Sequence, residues 1–155
     1  MRVPHVSPPS HFCNNKCRHG YALRNVFMLG FSQGGTVALS VVQSLNGAPI
    51  GGVVSICGAP PPLLHSATCS STPILFTLGE RDTAAASKSQ AWSLFETQWR
   101  SAAASHQQQP LTGSQLDCCM VVVAGKAEAM TQSEGETRVL MQFFGMHLNL
   151  RSLQL

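Results

Sequence analysis

What this chain has little of narrows its reading first. Only 11% of its 155 residues are charged, 7 acidic side chains against 10 Lys and Arg, for a formal net charge of +3. That charge is too small and too scattered to form a nucleic-acid footprint, and no basic cluster is interleaved with aromatics, so no nucleic-acid partner is expected. No apolar run approaches the ~20 residues that a transmembrane helix needs. No charged start followed by an apolar middle marks a secretory signal. Acids are so few that Asp82 and Asp117 are the only aspartates, which leaves a short choice for any chemistry that requires one.

What remains is an apolar chain, 44% hydrophobic, whose length suits one globular domain able to remove about 70% of its unfolded surface from water. Six cysteines are compatible with disulfides only if spacing and compartment agree. Cys57 falls in one expected buried strand and Cys118-Cys119 in another, where thiols behave as small apolar groups. The cysteines are therefore expected to be mostly reduced and the protein cytoplasmic.

The stretch around which the chain is organised is Phe27-Met28-Leu29-Gly30-Phe31-Ser32-Gln33-Gly34-Gly35. An apolar run stops at Gly30-x-Ser32-x-Gly34, and a helical pattern of Thr36, Val37, Ala38, Val41, Val42 and Leu45 starts at once. A strand that turns sharply into a helix at a serine is a nucleophile elbow: the serine takes strained backbone, and its neighbours must be small enough for the chain to double back. Gly30 and Gly34 are expected to meet that need. The turn would lift the Ser32 hydroxyl above the sheet, with the Gln33 N–H aimed where an oxyanion would develop. The bare motif is also compatible with an ordinary glycine-rich turn carrying an idle serine.

Residues 1–22, with Pro4, Pro8, Pro9 and Gly20, read as an irregular arm, residues 23–148 as the folded domain and 149–155 as a tail. His11, Cys13, Cys17 and His19 lie in the arm, but four ligands this close leave little room for a zinc knuckle, and no metal is expected. Arg24 to Leu29 is expected as a buried strand, followed after the elbow helix by strands over Gly51–Gly58, Ile74–Leu78 and Cys118–Val123. His65 lies in a connector and is expected to be an exposed loop residue. Ser87 to Arg100 has the spacing of a helix with Trp92, Phe95 and Trp99 as core, and Ser101 to Gln115 reads as a surface loop. Ser133 and Glu136 form a capping box for a last helix that buries Val139, Leu140, Phe143 and Phe144, with His147 at its solvent-exposed end.

Asp82 follows the third strand in Gly79-Glu80-Arg81-Asp82, on the sheet edge where α/β proteins place their sites. It is the candidate orienting acid, with a helix N-cap as the plainer alternative. The alternation of strands and helices implies an α/β class with a parallel sheet.

These segments together, Gly30-Phe31-Ser32-Gln33-Gly34-Gly35, Gly51-Gly52-Val53-Val54-Ser55 and Pro73-Ile74-Leu75-Phe76 with Gly79-x-x-Asp82, resemble the phospholipase/carboxylesterase family of α/β-hydrolases, which includes acyl-protein thioesterases and lysophospholipases. The resemblance implies hydrolysis of carboxylic esters or thioesters, in small molecules or acylated proteins, by a Ser, Asp, His triad without metal or cofactor. Ser32 matches its nucleophile and Asp82 its acid.

Two departures follow. Where the family has a turn reading Gly, Lys or similar, Gly, His, this chain has Gly125-Lys126-Ala127-Glu128, so Glu128 holds the histidine position. A carboxylate, with a reference pKa near about 4.3, accepts a serine proton far less readily than imidazole near about 6.5. It is also expected to face Asp82, each carboxylate raising the other's pKa. His147 lies at the far end of the last helix, a remote substitute. The second departure is that the family's front strands and its His-Gly-x-Gly loop have no counterpart before the elbow. The expectation is a partial α/β-hydrolase fold, about four parallel strands with flanking helices, its front strands missing and its elbow strand an exposed edge prone to self-association. A hydrolase-like fragment that binds a protein or lipid without turnover is the other reading.

Overall fold

The structure is a computed structural model that describes residues 21–45, 47–62, 71–106 and 118–148; residues 1–20 of the arm with its four zinc-type ligands, His65 and the 149–155 tail lie outside the described residues. After a 3-10 turn at Leu23–Asn25 the elements run β1 (Phe27–Phe31), α1 (Gln33–Ser44), β2 (Gly52–Ile56), β3 (Ile74–Gly79), α2 (Ala85–His106), β4 (Cys118–Val123) and α3 (Glu134–His147). The strands form one parallel sheet in the order β1-β2-β3-β4.

Period-two side-chain alternation sorts the strand residues onto two faces, and the helices cover both. Val53, Ile74, Phe76, Leu78 and Cys118 pack with Ala38, Leu39 and Val42 of α1 and with Trp92, Phe95 and Trp99 of α2. Val54, Ile56 and Leu75 meet Phe143, Val139, Leu140 and Phe144 of α3 on the opposite face. Every residue of β2 and β3 is buried, which explains why their sequences are mostly apolar rather than alternating, with Ser55 and Thr77 as the polar exceptions. The aromatic spacing on α2 is core packing as expected, with Phe76 stacked on Trp92 at 4.9 Å between ring centroids, and Phe95 and Trp99 continuing the stack.

The fold departs from the sequence reading in three places. The elbow strand starts at Phe27 because Leu23–Asn25 closes into a 3-10 turn, and it is partly buried, with Leu29 48% exposed. Among the described residues, it is an edge of the sheet. Helix α2 continues through 101–106, where a loop is expected from the sequence: Ala102-Ala103-Ala104 are good helix formers, and with no proline before Pro110 nothing stops the helix at Arg100. His147, expected in solvent, lies half-buried with its ring 4.8 Å from that of Phe143.

Candidate active site

A parallel sheet leaves all its strand carboxyl ends on one rim, and three chain reversals there carry the polar residues. The first is the elbow. Ser32 has φ 50° and ψ −120°, left-handed backbone that costs a residue with a Cβ on the order of 1–3 kcal/mol. The strain is held from both sides: the Ser32 N–H donates to the Ile56 carbonyl at 2.8 Å, and the Ser32 carbonyl accepts from Gly35 and Thr36 at the start of α1.

The steric requirement at this turn falls on a different pair of glycines from the one the motif indicates. A Cβ on Gly30 would lie 2.3 Å from the Gly34 backbone, and one on Gly35 would lie 2.4 Å from Ser55 Oγ. A Cβ on Gly34 would meet open space. Gly30 is therefore needed because α1 folds back over it, and Gly35 because the first turn of α1 presses onto β2. Behind them, Cys57 also takes positive φ, 56°, and a Cβ on Gly58 would come within 2.8 Å of the Ser32 carbonyl. Gln33 opens α1, so its N–H belongs to the group that a helix start leaves without an intrahelical acceptor.

The second reversal, Gly79 to Asp82, is stitched to the third, Ala124 to Glu128. The Glu80 carboxylate accepts from the Gly125 N–H at 2.7 Å and the Arg81 N–H donates to the Lys126 carbonyl at 2.7 Å. A Cβ on Gly79 would lie 2.5 Å from the Lys126 and Ala127 carbonyls, so glycine is what lets the two turns touch. The third turn is anchored from the helix side as well. Lys126 donates to Glu136 of α3, and Glu136 completes the capping box by accepting from the Ser133 N–H while the Ser133 hydroxyl accepts from the Glu136 N–H.

These anchors bring Glu128 to the elbow. The Ser32 hydroxyl donates to Glu128 Oε1 at 2.5 Å, across 96 residues of sequence. The other Glu128 oxygen, Oε2, lies 3.5 Å from Lys88 Nζ, and the same ammonium donates to Asp82 Oδ2 at 2.7 Å. The polar residues thus form one line, Ser32, Glu128, Lys88, Asp82. Asp82 also accepts from the Ala84 N–H at 2.8 Å, so it serves the turn into α2 as well as the line.

Lys88 corrects the expected electrostatics. Glu128 and Asp82 were expected to face one another and push a carboxyl pKa upward, but the ammonium stands between them. Burial alone would raise Asp82, whose side chain has no exposed surface; the hydrogen bonds from Lys88 and Ala84 and the Lys88 charge outweigh it and hold Asp82 below the usual carboxylate range. Burial would likewise lower Lys88, yet its bonds to Asp82 and the charges of Asp82 and Glu128 raise it above the usual lysine range. Lys88 is a cation here, not a proton acceptor.

Lys88 is not among the candidates that the sequence offers; it falls within the helix expected over Ser87 to Arg100. One signal was available: a lysine in the first turn of a helix sits at the positive end of the helix dipole, where acids are favoured, so it implies a carboxylate partner. His147 stands apart from this line. Phe143 lies against Gly52, at the start of β2, and His147 is one turn beyond it, at the rim opposite Ser32. The described cysteines, Cys57, Cys118 and Cys119, form no disulfide, and burial pushes the Cys119 thiol up, with the Glu96 charge adding to it.

A parallel sheet covered on both faces, with a strained serine turn at its carboxyl rim, defines an α/β protein of the partial hydrolase type. Residues 9–124, well over half of the chain, match the Phospholipase/Carboxylesterase family, and the chain belongs to that family. The match covers the elbow and Asp82 and ends before Glu128. No curated protein matches the chain.

Proposed function

We propose that this chain is a slow serine hydrolase of carboxylic esters or thioesters, with Ser32 as nucleophile, the Gln33 N–H as oxyanion donor and Glu128 as proton acceptor in the histidine's place. The observation that carries the reading is the 2.5 Å hydrogen bond from the Ser32 hydroxyl to Glu128, since a nucleophile paired with an acceptor at that reach is the arrangement that covalent catalysis requires. Asp82 has the family acid's position, but here it holds Lys88 rather than the acceptor itself. Turnover is slow because a carboxylate takes a serine proton poorly, and a substitution within a triad costs several orders of magnitude in rate. The chemistry needs no metal or cofactor. Its substrates are small-molecule esters or acylated proteins, and a cytoplasmic setting suits the described thiols. Among the described residues, no helix is long and apolar enough to cross a membrane.

A fluorophosphonate probe on the full chain tests this. Slow labelling is expected that disappears in Ser32→Ala; a folded protein that never labels overturns the reading. The exposure of Leu29 on β1 favours a second reading, in which the family fold binds a protein, a lipid or a second copy through that edge. Turnover at ordinary esterase rates would exclude it.

A further inference from the structure

Glu128 and Asp82 are carboxylates on neighbouring turns at one rim, in a chain with only 7 acidic residues. Their shared contact is Lys88 Nζ, 2.7 Å from Asp82 and 3.5 Å from Glu128. The Lys88 side chain is 11% exposed and that of Asp82 is fully buried, whereas Glu128 is 39% exposed and free to swing outward were nothing holding it.

We propose that Lys88 is the positioning residue of the serine site: as a charge separator between Asp82 and Glu128 it allows a carboxylate to occupy the histidine position and keeps that carboxylate on the Ser32 hydroxyl. The inference rests on the proposed reading of Ser32 and deepens it.

Among the described residues, the ion pairs that reach Asp82 and Glu128 both come from Lys88. From the β3–α2 turn, Glu80 is turned to the Gly125 N–H, and Arg81 contributes its backbone N–H to the Lys126 carbonyl. From the β4–α3 turn, Lys126 is committed to Glu136 of α3. From the elbow, Ser32 contributes a hydroxyl and no charge. Without the Lys88 ammonium, Asp82 and Glu128 would be like charges at close quarters, and such a pair either shares a proton or moves apart. A proton held between them draws Glu128 onto Asp82, and repulsion drives Glu128 outward; either takes the carboxylate off the Ser32 hydroxyl.

The test follows the rate of fluorophosphonate labelling at Ser32 between pH 5 and 9, on the full chain, in Lys88→Met, in Lys88→Met/Asp82→Asn and in Lys88→Arg. Lys88→Met is expected to label at least about tenfold more slowly at neutral pH and to recover part of that rate as pH rises, because the shared proton is then lost. Removing the second carboxylate removes the need for a separator, so the double variant is expected to regain labelling to within about threefold of the parent at neutral pH, and Lys88→Arg to retain most of it. A Lys88 that merely braces the fold by neutralising buried Asp82 would lose stability in Lys88→Met and regain it in the double variant, with labelling following stability rather than pH; the positioning role is read from slow, pH-dependent labelling in a folded Lys88→Met. The inference is overturned if Lys88→Met labels like the parent at every pH, or if a folded double variant, checked by circular dichroism, stays slow. Should Lys88→Met not fold, Lys88→Gln takes its place.

Carbon NMR titration of the Asp82 carboxyl separates this inference from the hydrolase reading, because it needs no labelling. In Lys88→Met, or in Lys88→Gln where that variant folds better, Asp82 is expected to titrate at higher pH, and adding Glu128→Gln is expected to reverse part of the rise. A titration indifferent to Glu128 overturns the inference even where the parent labels, and a parent that never labels leaves this measurement able to support it.

Discussion

The two halves of the site are held by different physics. The elbow half, at Ser32, is held by backbone sterics: a Cβ on Gly30 or Gly35 would lie only 2.3 or 2.4 Å from its neighbour, and main-chain hydrogen bonds fix the strained turn. The opposite half, which carries Asp82 and Glu128, is held by charge: Lys88 with Asp82, Lys126 with Glu136 and Glu80 on an amide. Steric constraints are insensitive to pH, whereas ionic ones are not. The comparison therefore separates perturbations that pH modulates from those that it does not.

The largest effect is expected from the charged half. Lys126 and Glu136 are each 6% exposed at the side chain, and removing one partner of a buried pair costs about 3–5 kcal/mol. Lys126→Met should lower stability in chemical denaturation by that order. Burial by itself would raise Glu136, but Lys126 and the N–H groups of Gln132 and Ser133 hold it below the usual carboxylate range. A depressed carboxyl contributes stability that is present above its unfolded value and lost as pH falls through its folded value. The parent should therefore shed this contribution progressively as pH falls below the unfolded carboxylate value. The variant, lacking the lysine, should start to lose it at higher pH.

Next is Glu128→His, which returns an imidazole to the place the family gives it. The turn that carries residue 128 is anchored through Gly125 and Lys126, so the backbone there should not move. Labelling of Ser32 should quicken by about 10² or more, the usual contribution of a well-matched general base. An unchanged rate would mean that the elbow half, not the acceptor, limits the chemistry.

The smallest effects come from the elbow half and differ in sign. Gly30→Ala should destabilise by about 1–3 kcal/mol at every pH, since its Cβ would overlap the Gly34 backbone. Gly34→Ala, facing open space in the first turn of α1, should be neutral or stabilising by up to about 1 kcal/mol. Thermal unfolding of the two variants at pH 5 and pH 8 checks both the signs and the expected indifference to pH.

The same division explains what could be read from the residues alone. Apolar runs and glycine punctuation reveal β2, β3, β4 and the elbow because burial and backbone reversal depend on local residue types. Ser133 and Glu136 reveal the α3 cap for the same reason, three residues apart in one turn. Asp82 could be found because it follows a strand end. Lys88 was hidden because its contact with Glu128 spans 40 residues, and no periodicity links the two. Gly35 was hidden behind the motif's own spacing: its constraint comes from Ser55 on the next strand, which no pattern around Ser32 contains.

The order of the sheet has a consequence for how the chain comes to be built. Among the described residues, strands β1 to β4 lie side by side in chain order, so each later strand pairs with the one made just before it. Glu128 lies beyond β4, so during synthesis the serine meets its carboxylate only after the fourth strand and the turn that follows it have been made.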